Sequence, residues 1–124
     1  MTDANANANR LIPAPHSAEA SRLARVWGAA YGVRVGRGLT ALLAGRCEVV
    51  AVFAAKGAVE SAWITVTGSK GDLYTCEVSL APGGGLSTCH CADFSHRGVR
   101  CYHLWAVALG VKSRILILTL GVSK

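Results

Sequence analysis

Three cysteines and a histidine crowd into fifteen residues, Cys89 to His103, and nothing else in the chain restricts its folding as strongly. In an extended segment, side chains two apart point to the same side, so Cys89 and Cys91 offer two thiolates to one ion while His90 points away. Cys101 and His103 form a second pair, placed where a loop enters a helix. Three sulfurs and one imidazole nitrogen complete a tetrahedron, the closed shell of a structural zinc. Soft thiolates select against calcium and magnesium, and four protein ligands leave no position open for catalysis. One structural Zn²⁺ is therefore expected on Cys89, Cys91, Cys101 and His103. His96 and His90 are weaker candidates, because the set of four is complete without them. Cys47 and Cys76 fall on inward positions of predicted strands and read as core residues. Five cysteines without an export signal do not make a disulfide framework.

The segments around this cluster alternate between two kinds of pattern. Residues 1–16 lack any buried-face periodicity and are expected to form a flexible tail, followed by one domain over 17–124. Ser17 is the expected N-cap of a first helix, with Glu19 in its first turn and an apolar stripe of Leu23, Val26, Trp27, Ala30 and Tyr31. Gly32 ends it. Past Gly36 and Gly38, a short helical turn through Leu39, Leu42 and Leu43 ends at Gly45. Three strands follow. The first carries Cys47, Val49, Ala51 and Phe53 on one face, the second Ala62, Ile64 and Val66, and the third Tyr74, Cys76, Val78 and Leu80. Pro82 to Gly85 separates them from the metal segment. A short helix after His103 has Leu104, Val107 and Ala108 on one face and Gly110 as its stop, and Ile115–Leu120 reads as a last strand. The expected fold is α+β: a small antiparallel β-meander with an N-terminal helix and a zinc-bound hairpin and short helix over 87–110.

The pattern C-x-C-x(9)-C-x-H resembles the SWIM zinc finger. The resemblance extends over Arg34 to Gly45, the strands through Gly68-Ser69 and Tyr74, Cys91-Ala92-Asp93-Phe94, and Gly98 through Leu109, residues 34–110 in all. Two positions depart from the family pattern: Ala92 replaces a proline, and Tyr102 replaces a lysine before the histidine. Neither is a ligand, but the missing lysine removes one candidate phosphate contact. The resemblance implies binding to DNA or to proteins, as in chromatin-type ATPases, transposase-like proteins, ubiquitin ligases and recombination accessory factors.

Charge points the same way. Thirteen basic residues, nine of them arginine, stand against seven acidic ones, a net charge of +6. Arginine grips phosphate bidentately, and such a balance favours an anionic partner. Arg97, Arg100, Lys112 and Arg114, with Arg34, Arg37 and Lys70, are the candidate nucleic-acid contacts, and DNA and structured RNA present the same phosphates. Phe94 and Trp105 are expected to pack rather than stack on bases. A DNA-repair or ribonucleoprotein assembly, such as the ribosome, fits this reading. The alternative is a protein-interaction adaptor for a recombinase-like ATPase, with Ile115–Leu120 as an edge strand seeking a partner. No phosphate-binding loop, carboxylate pair or nucleophile–base pair appears, so neither an enzyme nor a small-molecule substrate is expected. With no apolar run near the ~20 residues of a membrane span, and no secretion signal, a soluble intracellular protein is expected.

Overall fold

The computed structural model describes residues 12–80, 87–91, 94–95 and 100–118. Three helices and a four-stranded antiparallel sheet make up these residues, in the order α1 (Ala14–Tyr31), α2 (Val33–Leu43), β1 (Cys47–Ala55), β2 (Ala58–Thr67), β3 (Leu73–Ser79), β4 (Thr88–Cys89) and α3 (Tyr102–Lys112). The fold is α+β, and the strands lie in sequence order, β1-β2-β3-β4. No helix among the described residues is long and apolar enough to cross a membrane.

The first helix starts earlier than its polar residues suggest. Pro13 is its N-cap and Pro15 lies in its first turn, where a missing N–H costs nothing because no carbonyl waits for it. Ser17 therefore does not cap the helix, and Glu19 lies beyond the first turn, paired with Arg22 at 2.7 Å. The buried stripe is also rotated. Ala20, Leu23 and Ala24 are buried and Trp27 packs beside them, whereas Val26 and Tyr31 are exposed. Residues 1–11 of the expected tail lie outside the described residues. Gly32, at φ 100°, makes the break into α2, a backbone conformation that a side chain would strain.

α2 is a full helix where only a short helical turn was expected, and it runs through both Gly36 and Gly38. The reason is the closeness of α3. A Cβ on Gly38 would stand 2.7 Å from the Ala106 backbone nitrogen and 2.9 Å from the Tyr102 carbonyl oxygen. Gly38→Ala must push two helices apart and is expected to cost about 1–3 kcal/mol. Gly36, two residues away, has open space around its Cβ position. Gly36→Ala should therefore stabilise by roughly 0.5–1 kcal/mol through helix propensity alone. Denaturant midpoints of the two variants should move in opposite directions; a shift of the same sign would show that α2 and α3 do not meet at Gly38.

The strand alternation holds in β2 and β3, where Ala62, Ile64, Val66, Cys76 and Val78 face the helices, whereas Leu80, expected on the same face, lies past the end of β3 and is exposed. It fails in β1. A bulge between Val49 and Ala51 shifts the register, so Val49 and Val52 pack on the core and Phe53 turns to the outer face against Trp63. α3 is the hub. It packs on α2, α1, β3 and β4, and buries residues on every side: His103, Leu104, Trp105, Ala106, Val107, Leu109 and Gly110. Gly110 does not stop it; the helix runs on to Lys112, and Gly110 is where the Leu116 side chain folds back.

Arg114, at φ 67°, turns the chain, and the Leu116 N–H donates to the Gly110 carbonyl at 2.9 Å. This helix-closing turn is why Ile115–Leu118 forms no strand. The expectation of a last strand there is overturned for the described part of the segment; Thr119 and Leu120 lie outside it.

Candidate metal centre

Each ligand is positioned by a different local device. Cys89 ends β4, opposite Cys76 of β3. Cys91 follows on the same side two residues later, and its Sγ accepts from the Phe94 N–H at 3.5 Å. Cys101 is the N-cap of α3, and His103 lies in the first turn of that helix. The four donor atoms lie within 4.8 Å of one another, and all four residues are buried. The Nδ1 atom of His103 is 3.8 Å from the Cys89 Sγ, near the spacing of roughly 3.5 Å expected for two donors on one tetrahedral zinc. His103 Nε2 is buried without a hydrogen-bond partner among the described residues. A buried imidazole whose polar neighbours are thiols suits a metal ligand better than a hydrogen-bonded core histidine. The residues fit one zinc ion, which would tie β4 to the start of α3.

Aromatic stacking orients the ligand ring. The His103 imidazole meets two tyrosine rings at a tilt, Tyr74 with centroids 4.4 Å apart and Tyr102 with centroids 4.1 Å apart. Arg37 lays its guanidinium over Tyr102 at 5.4 Å. Ring contacts therefore link Tyr74 and Tyr102 to His103, and Tyr102 to Arg37 on α2.

Without metal, the thiols hold their protons. The Cys101 hydrogen bond pulls the Cys89 thiol down, but Cys76 and burial outweigh it and push it up to about 12. The contact with Cys89, and then burial, push Cys101 up to about 12 as well, and burial raises Cys91. Groups with raised pKa values stay protonated at neutral pH, so zinc must displace one proton from each thiol. Apparent affinity should rise with pH by roughly three log units per unit between about pH 7 and 8, and fall on acidification. Competition with a chromophoric chelator at several pH values measures this slope; a flat profile would mean that the thiolates do not bind the metal. Burial likewise pushes Cys47 up to about 12, as befits a core thiol. Cys76, fully buried against Cys89, stands outside the ligand set.

Among the described residues, the candidate basic contacts lie at separate places. Arg37 and Lys70 come to the rim of the metal centre, where two adjoining clefts share Ser69 and Tyr102. Arg34 lies one turn before Arg37 on α2. Arg100 lies over the Trp105 ring at 5.0 Å, and Trp105 is buried beneath Tyr31. Lys112 and Arg114 stand at the far end of α3, about 15 Å along its axis from Tyr102. Arg97 and His96 lie outside the described residues. Sequence reasoning missed Arg46, which lines the first cleft with Arg37, Thr40, Ser69 and Tyr102. No local pattern marks it, because Arg46 and Arg37 meet only through the turn that joins α2 to β1.

Residues 74–110 match the family model of the SWIM zinc finger. The match spans β3, β4, all four ligands and most of α3. No curated protein and no solved structure matches the chain.

Proposed function

We propose that this chain, which carries a SWIM zinc finger in residues 74–110, binds DNA or structured RNA mainly through phosphate oxygens, and that it acts by binding rather than by catalysis. The observation that carries this reading is the cleft of about 160 Å³ lined by Arg37, Thr40, Arg46, Ser69 and Tyr102. It is too small for a drug-sized ligand, whose pockets run to roughly 300–1,000 Å³. Two guanidinium groups and the hydroxyls of Ser69 and Tyr102 are instead the donor set that a phosphate takes, the Thr40 hydroxyl donating to the Gly36 carbonyl at 3.2 Å. The adjoining cleft, with Lys70, also contains Asp72, which accepts from the Tyr74 hydroxyl at 3.5 Å. Its carboxylate disfavours an anion, so the phosphate belongs to the first cleft and Lys70 to the next one along the backbone. The zinc contributes stiffness: His103 holds Tyr102, and Tyr102 holds Arg37, so less side-chain entropy is lost on binding. The same chemistry suits a place in a DNA-repair or ribonucleoprotein assembly.

The test is binding to a duplex DNA and to a hairpin RNA across a salt series. Three to five phosphate contacts give a log–log slope of roughly −3 to −4.5 on duplex DNA. Absence of binding to either at low salt would end this reading.

A further inference from the structure

The helices cover one face of the sheet, and the other face carries an aromatic cluster. Trp63 is 45% exposed and Phe53 42%, the two rings packed edge to face at 5.2 Å. The register places Glu77 directly across from Trp63, and Glu48 across from Thr65 on the same side. Val50, Trp63, Thr75, Glu77, Thr88 and His90 line a hollow of about 420 Å³. Scattered apolar residues on a surface are ordinary, but contiguous aromatics around a hollow mark a contact surface.

Charge identifies the occupant. In a chain of net charge +6, Glu48 and Glu77 are the acidic side chains this face presents among the described residues. Described arginines and lysines lie elsewhere: on the helices, at Arg46 before β1, at the hairpin tips with Lys56 and Lys70, and around α3. Phosphate is repelled here, and a cation is attracted. Tryptophan is the best ring for a cation–π contact, and a carboxylate across the strand lies about 4.5–5.5 Å away between Cβ atoms. We propose that this outer face docks a basic segment of a partner protein, with a Lys or Arg side chain over Trp63 and paired to Glu77, and an apolar neighbour in the hollow beside Val50. The surface is distinct from Ile115–Leu120 and independent of the phosphate cleft.

The full zinc-loaded chain, labelled with ¹⁵N, would be titrated with an octapeptide alternating leucine and arginine, and with its leucine–glutamate counterpart. The basic peptide should shift the Trp63 indole and the Glu77 and Thr88 amides and leave Arg37 and Tyr102 unmoved. Trp63→Ala should weaken it about tenfold, and Glu77→Arg should turn the preference toward the acidic peptide. Both side chains are exposed, so neither substitution threatens the core. Equal binding of both peptides, shifts confined to the other face, or no shift at all would overturn the proposal. So would a shift of the Trp63 indole on adding a DNA duplex alone, or pairing of this face with a second copy of the chain in sedimentation.

Discussion

Removing zinc, by a strong chelator or by Cys101→Ala, is expected to unfold far more than the finger. A structural zinc contributes on the order of 10–16 kcal/mol in finger peptides, whereas a whole domain is stable by only about 5–15 kcal/mol. Cys101 caps α3, and α3 supplies Leu104, Ala106, Val107 and Leu109 to the core that β2 and β3 share. Without the metal, the buried thiols and the His103 Nδ1 that faces them remain as polar groups in an apolar site. Helical circular dichroism should drop, and amide protection should fall in α3 and at Ala62, Ile64 and Val66 of β2. Cys47→Ala, outside the ligand set, should keep full zinc content and a cooperative transition. Full protection of α3 in the metal-free chain would show that packing alone holds the helix.

Replacing Arg37 and Arg46 together by alanine should flatten the salt dependence of duplex binding by about two units, since each neutralised phosphate contributes about −0.9. Affinity at low salt should fall at least tenfold while zinc content stays at one per chain. Lys112→Ala with Arg114→Ala removes the same charge from the far end of α3 and should leave the slope nearly unchanged. That contrast separates a built cleft from a general field. If both pairs flatten the slope equally, the chain binds by diffuse attraction and the cleft has no special role. Lys70→Ala should lie between the two, because Asp72 on the same cleft offsets part of its charge.

Where the governing interaction is local, the sequence sufficed. Side chains two apart in extended chain share a side, so Cys89 with Cys91 and the inward series of β2 and β3 could be read directly. A ligand pair at Cys101 and His103 needs only a helix start. β1 could not be read this way, because its bulge depends on the register of β2, and one extra residue moves Phe53 to the opposite face. Gly36 and Gly38 look like breaks, yet Gly38 lets α2 and α3 meet at backbone contact, which only the facing helix determines.

The sequence by itself determined the metal, its four ligands and the α+β class, since these follow from donor chemistry and short-range periodicity. Tertiary structure decided which basic residues lie together. Arg37, Arg46 and Lys70 belong to three separate segments and come near one another only because α2, the turn before β1 and the β2–β3 turn meet around Ser69 and Tyr102. It also decided that the chain after α3 folds back rather than extends: Leu116 gains a buried place over Gly110, and a strand would leave it in water.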